Sequence, residues 1–172
     1  MKNYIMGLAL AGMIYSAYAC TNTSQNNSTS ANTETTQNQV NPKFADAKVN
    51  EVYQHYIHLK TALVNDDHKE ADAGAKMLAS ALKEAGISSK YIGSIVDAKN
   101  LKEKRAKFSE LSNELAEIFR NSKLESGVVY KQYCPMANDG NGGYWLASEK
   151  KIRNPFYGSK MMGCGSVEEE IK

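Results

Sequence analysis

Residues 45–65 read ADAKVNEVYQHYIHLKTALVN, and within them Val49, Val52, Tyr53, Tyr56, Leu59 and Leu63 recur at steps of three and four. That spacing gathers them into one apolar stripe on a 3.6-residue helix, so a first helix is predicted over residues 45–65. The pattern continues outward. Asp67-His68-Lys69-Glu70 resembles a capping box, with Asp67 as cap and Glu70 three residues on. Ala71, Ala75, Leu78, Ala81, Leu82 and Ala85 form the next stripe, and Gly86 offers a left-handed stop. So alanine-rich a face predicts close approach of two helices. Leu101, Phe108, Leu111, Leu115, Ile118 and Phe119 mark a third long helix that ends near Asn121-Ser122, and a short helix is expected around Tyr91–Ala98. No proline interrupts the stretch between Pro42 and Pro135, as long helices require. Short connections favour antiparallel neighbours. The expected fold is therefore mainly α: an up-and-down bundle of three to four helices, with a C-terminal glycine-rich hairpin or loop segment packed on it. Arg105 and Ser112 flank or enter the third stripe and are expected to hydrogen-bond within the bundle.

Composition bounds the function. The 172 residues are 42% hydrophobic and 23% charged, with 21 Lys+Arg against 19 Asp+Glu and a net charge of +2. Near-neutral charge argues against electrostatically driven binding to nucleic acid. A mean hydropathy of −0.51 excludes a chain that crosses a membrane many times. Two segments stand apart from the domain. Residues 1–19 carry Lys2, an apolar run from Tyr4, and Ala17-Tyr18-Ala19 before Cys20, the pattern of a cleaved export signal that is short for a spanning helix. Cys20 at that place suggests lipidation of its thiol, although a typical lipobox has leucine where Ala17 stands and a small residue where Tyr18 stands. Of the 21 residues from Thr21 to Asn41, 18 are Ser, Thr, Asn or Gln. Such a stretch cannot offset its chain entropy by burial and reads, through residue 43, as a disordered tether. Residues 44–172 then form one domain, displayed from a periplasmic or other cell-envelope membrane through the lipid anchor.

At Gly127 the composition changes. Seven of the 12 glycines, two of the three prolines, the one tryptophan and both remaining cysteines fall in residues 127–167. Val128-Val129-Tyr130 and Tyr144-Trp145-Leu146 are β-prone and flank Asp139-Gly140-Asn141-Gly142-Gly143, so a hairpin or irregular loop is expected. That run is a turn, not a calcium loop: the sixth position would be Tyr144 where glycine is needed, and the twelfth would be Lys150. Asn154-Pro155 starts another turn that Gly158 ends, with Phe156 and Tyr157 expected to pack on the helices.

The soft-ligand inventory lies in the same segment. Cys134-Pro135-Met136 is Cys-x-Met, and Met162-Gly163-Cys164 is Met-x-Cys with Met161 beside it. Two thiolates and two or three thioethers in one place suit Cu(I) better than calcium or magnesium. In an exported protein two leftover cysteines most often form a disulfide, worth about 3–4 kcal/mol in the chain-entropy model, and free structural thiols are the third alternative. His55 and His58, three residues apart, present a two-imidazole pattern, but on a helical wheel His58 points nearly opposite the apolar stripe, which favours solvated surface histidines. No histidine accompanies Cys134 in its segment, Cys-x-x-Cys is absent, and no phosphate loop or hydrolase elbow occurs, so an enzyme is not expected.

Tyr133-Cys134-Pro135-Met136-Ala137, Gly143-Tyr144-Trp145-Leu146, Ile152-Arg153-Asn154-Pro155-Phe156-Tyr157-Gly158, Met161 and Cys164-Gly165 together resemble a domain family of unknown function. That family is found in small Gram-negative periplasmic lipoproteins and as an extension of heavy-metal, copper-type efflux adaptor subunits. The specific resemblance covers residues 128–167; the helical part fits more loosely, through Leu59-Lys60-x-x-Leu63-Val64 and Arg105-x-x-Phe108-x-x-Leu111-Ser112. It implies a periplasmic role in copper or related metal handling, with an efflux adaptor as partner and Cys134, Met136, Met161 and Cys164 as matching ligands. Met162 stands where an aliphatic residue is expected, outside that ligand set. The competing expectation is a non-catalytic interaction module in which a Cys134–Cys164 disulfide staples an aromatic loop to the helices.

Overall fold

Asp46 starts the first helix by accepting the backbone N–H groups of Lys48 and Val49 at 2.8 and 3.1 Å, two of the donors that every helix N-terminus leaves free. The protein is described by a computed structural model over residues 40–172. The expected signal segment, Cys20 and the expected tether through Gln39 lie outside the described residues. The elements run β1 (Lys43–Phe44), α1 (Ala47–Val64), α2 (His68–Glu84), α3 (Ile92–Asp97), α4 (Leu101–Arg120), β2 (Leu124–Ser126), β3 (Val129–Cys134), the short turn α5 (Ala137–Gly140), β4 (Gly143–Ala147), a 3-10 turn (Gly158–Lys160) and β5 (Ser166–Ile171). Lys43, expected in the tether, is part of β1 and pairs with Ser126.

The four predicted helices form where the apolar spacing puts them. At α2 only half of the capping box exists. Asp67 accepts the Glu70 N–H at 3.0 Å, but the Glu70 carboxylate turns away to His58 at 3.0 Å. A closer variant occurs at α4, where Asn100 accepts the Glu103 N–H at 3.0 Å and the Glu103 carboxylate reaches back to Asn100 Nδ2 at 2.7 Å and to the Lys99 N–H at 2.8 Å. The close approach foreseen for the alanine face is set by Gly74: a Cβ there would stand 3.1 Å from the Leu59 Cα of α1.

The architecture departs from an up-and-down bundle. It is mixed, with a helical core and two small antiparallel sheets, β1-β2 and β4-β3-β5. The α1–α2 hairpin is intimate, but α4 packs chiefly on β4 and only lightly on α1. Tyr56 shows why. Its ring stacks on Phe108 of α4, centroids 5.3 Å apart and planes 9° from parallel. Because Ser112 Oγ donates to the Phe108 carbonyl at 2.6 Å, the Tyr56 hydroxyl donates to Ser112 at 2.8 Å, and it accepts the backbone N–H of Leu146 in β4 at 2.9 Å. One side chain of α1 is thus joined to both α4 and the sheet, and burial pushes its phenol pKa up.

The predicted hairpin is β3–β4, in the register Tyr133↔Tyr144 and Cys134↔Gly143. Strand β5 carries three consecutive glutamates and no alternating pattern, so sequence gave no sign of it. Its charges suit an edge strand. Glu169 takes a two-point contact from Arg120 of α4 at 2.9 and 2.8 Å, and Glu170 pairs with Lys150 at 2.8 Å. Among the described residues no helix is long and apolar enough to cross a membrane.

Candidate functional site

Cys134 is the last residue of the central strand β3, and its side chain is fully buried. Cys164 lies half-buried in the connection that leads into β5. The fold brings their Sγ atoms to 2.6 Å. This approach depends on Gly165, whose φ of +138° is a glycine conformation and whose missing side chain leaves room. A Cβ there would stand 2.7 Å from the Tyr133 carbonyl oxygen and 2.8 Å from Cη2 of Trp145.

The Asn154–Gly158 turn clamps both arms of the pair. Asn154 is fully buried and spends every polar group. Its N–H donates to the Met162 carbonyl at 2.8 Å, its Nδ2 donates to the Cys164 carbonyl at 2.9 Å, and its Oδ1 accepts the N–H groups of Phe156 and Tyr157 at 2.8 and 3.2 Å. Tyr157 reaches the other arm by donating its hydroxyl to the Met136 carbonyl. Phe156 fixes the turn to the core, edge-on to Phe108 and Trp145 at 6.2 and 6.0 Å. On the far side of the turn, Arg105 of α4 donates to the Pro155 and Leu63 carbonyls, both at 2.6 Å, and to Asp66 at 2.6 Å.

The expected ligands therefore divide. Cys134 and Cys164 meet. Met136 follows the end of β3 and is 51% exposed, and Met161 is half-buried at the end of the 3-10 turn, where its carbonyl accepts the Cys164 N–H at 3.2 Å. Met162 is exposed. Cys20 lies outside the described residues. The Cys134 sulfur, and burial after it, push the Cys164 thiol above its usual range. Cys164 is therefore held as a protonated thiol near neutral pH when the pair is reduced, and a metal ion bound by it must displace that proton.

The histidines are not brought together for a metal. His55 faces Glu51 at 3.8 Å, His58 faces Glu70 at 3.0 Å and His68 faces Asp72 at 3.8 Å, three separate carboxylates. No group of three or more His, Cys, Asp or Glu side chains suited to a metal occurs among the described residues. Sequence reasoning identified both cysteines but gave Asn154, Tyr157 and Arg105 no part in placing them. Their signal was the turn motif itself, which reads locally as packing and shows nothing of what its amide and hydroxyl reach.

Residues 52–127 match the model of a family described as "Protein of unknown function (DUF3347)", in agreement with the resemblance to a domain family of unknown function. The match covers most of α1 through β2 and ends at Gly127, so the cysteine-bearing segment, where the resemblance was most specific, lies outside it. No curated protein and no solved structure matches the chain.

Proposed function

We propose that this protein, whose helical half carries that family match, is an exported, lipid-anchored, non-catalytic accessory protein of the cell envelope that binds a soft metal ion, Cu(I) in preference, for handling or transfer to an efflux adaptor. The observation that carries the reading is the Cys134–Cys164 pair, two thiols 2.6 Å apart with one of them open to the surface. Cys134 and Cys164 supply thiolates, and Met136 and Met161 supply weaker thioethers from the surface side. Two thiolates on one ion stand farther apart than this, since a single thiolate–zinc bond is already about 2.3 Å. Capture therefore requires the Cys164 arm to swing outward. That movement gives up the Asn154 hydrogen bonds to the Met162 and Cys164 carbonyls.

The same distance favours a second reading, the interaction module stapled by a Cys134–Cys164 disulfide, which such a pair forms readily in an oxidising compartment. One experiment separates the two. The purified protein, reduced and kept from oxygen, is titrated with Cu(I) against a chromophoric competitor. Stoichiometric binding that is lost in Cys134→Ser and in Cys164→Ser supports metal capture. Unchanged affinity in both variants eliminates the site, and no competition, with a disulfide re-forming in air, favours the staple.

A further inference from the structure

A cavity of about 490 Å³ opens where the α1–α2 turn, the first turns of α4, the α5 turn and the Asn154–Gly158 turn converge. Its size is that of a small-molecule site. Its wall is built at a conformational cost that the fold does not incur elsewhere. The non-glycine residues with left-handed backbone among the described residues are Asp66, Asn138 and Asp139, at φ of 57°, 52° and 56°, and all three line this one cavity. Two of them are held there by bonds within the fold. Asp66 is fixed by Arg105 and by the Ser159 N–H and hydroxyl at 3.0 and 2.7 Å. Asn138 donates to the Gly142 carbonyl at 2.9 Å, and the Gly142 N–H closes the turn on the Ala137 carbonyl, also at 2.9 Å.

The charges on that wall are unequally used. Arg105 and Asp66 satisfy one another, and the guanidinium keeps the Asp66 carboxyl at about 2, ionised under all ordinary conditions. Lys102 and Lys160 line the same cavity, and neither side chain forms an ion pair or hydrogen bond among the described residues; nor does that of Asp139. Two free cations thus face one free carboxylate. Phe156 and Tyr157 supply the apolar part of the wall. The Tyr157 hydroxyl is already committed to the Met136 carbonyl, so these two residues offer ring surface.

We infer that this cavity binds a small organic anion: a carboxylate or phosphate carried on a flat apolar body. Lys102 and Lys160 hold the anionic group, Phe156 and Tyr157 hold the body, and Asp139 accepts a hydroxyl or amino hydrogen where the ligand has one. The inference stands apart from the thiol chemistry, since none of these side chains is a proposed metal ligand. Its report to the thiol site is direct, because Tyr157 and Asn154 belong to the turn that carries both.

The test titrates the purified protein at physiological ionic strength with phenyl phosphate, benzoate, inorganic phosphate and benzylamine. Binding is followed by calorimetry and by the emission of Trp145, the one tryptophan, whose ring lies 6.0 Å from Phe156. Saturable one-to-one binding of phenyl phosphate or benzoate is expected, at least tenfold tighter than inorganic phosphate, with no binding of benzylamine. The tighter of the two aromatic anions identifies the anionic group. The Lys102→Ala/Lys160→Ala protein, altered only at exposed side chains, should bind at least tenfold more weakly. Failure of both aromatic anions to saturate, equal binding of benzylamine or inorganic phosphate, or wild-type affinity in the double variant would each overturn the inference.

Discussion

Oxidation of the thiol pair should change stability by an amount that follows from the chain alone. Cys134 and Cys164 are 30 residues apart. Closing a loop of that length removes about 12 cal/mol/K from the unfolded ensemble, which at 25 °C is about 3.7 kcal/mol in favour of the folded state. With a urea slope of about 2 kcal/mol/M, that corresponds to a midpoint about 2 M higher in the oxidised protein. The native arrangement already holds both arms through Asn154 and Tyr157, so the bond forms with little rearrangement and the entropic gain should be realised nearly in full. The assay is urea unfolding followed by Trp145 emission, with and without reductant, on protein whose disulfide content is fixed by mass. Cys134→Ser and Cys164→Ser should unfold like the reduced wild type under both conditions. A midpoint shift below about 0.5 M in protein shown to be fully oxidised would refute the reasoning, because the loop would then be constrained in the unfolded state already. A soft metal also stabilises the reduced form, by about 2.7 kcal/mol at a free concentration a hundredfold above Kd, but that gain vanishes with a chelator where the disulfide's does not.

Three further outcomes are expected. Tyr56→Phe strands the Leu146 N–H inside the core, while Ser112 keeps its bond to the Phe108 carbonyl, and should lower stability by about 1–3 kcal/mol; a loss under about 0.5 kcal/mol in urea unfolding would show that the hydroxyl is not the joint between α1, α4 and β4. Asp66, held at about 2 by Arg105 first and then by Ser159, stabilises the fold while it is ionised; this contribution is complete above the usual aspartate range and is lost as pH falls toward 2. Asp66→Asn, which tolerates the left-handed backbone, should therefore be less stable near neutrality and show a flatter acid limb in thermal melts taken between pH 5 and about 2. The raised Cys164 thiol has the opposite sign, so reduced protein should lose stability as pH climbs past the ordinary thiol range, and Cys164→Ser should not follow it.

The helices were legible because each buries one stripe, and a stripe is written in the spacing of Val52, Tyr56, Leu59 and Leu63 or of Phe108, Leu111 and Leu115. What those stripes face was not legible. Tyr56 and Phe108 read the same whether they meet another helix or β4, and only the hydroxyl of Tyr56 on the Leu146 N–H distinguishes the two. Strand β5 was hidden for a related reason: an edge strand with Glu168, Glu169 and Glu170 draws its stability from pairing with β3 and from Arg120 and Lys150, partners far away in the chain. At the site, Cys134 and Cys164 could be named from their type and spacing, since few residues do what a thiol does. That they meet was an expectation of the sequence; how they are held was not legible, because it depends on a buried asparagine amide, a tyrosine hydroxyl and the absence of a side chain at Gly165.

The family match ends at Gly127, but the physical domain does not. Phe108 packs on Phe156, Ser109 accepts the Tyr144 N–H at 3.1 Å, and Arg105 is anchored on the Pro155 carbonyl, so α4 is covered by the segment that follows the match. A chain stopped at residue 127 would uncover Tyr56, Phe108 and their neighbours on α4, at about 1.5–3 kcal/mol for each large apolar side chain, and leave the Arg105 guanidinium short of one acceptor. Losses of that size across several residues are comparable to the 5–15 kcal/mol that holds an ordinary domain together. The truncated chain should therefore show helical circular dichroism without a cooperative urea transition, and the full chain should show both. A sharp transition in the truncated protein would mean that α1, α2 and α4 close a core by themselves. The thiol-bearing segment would then be an appendage on a finished domain, and the coupling drawn here through Tyr56, Arg105 and Asn154 would be wrong.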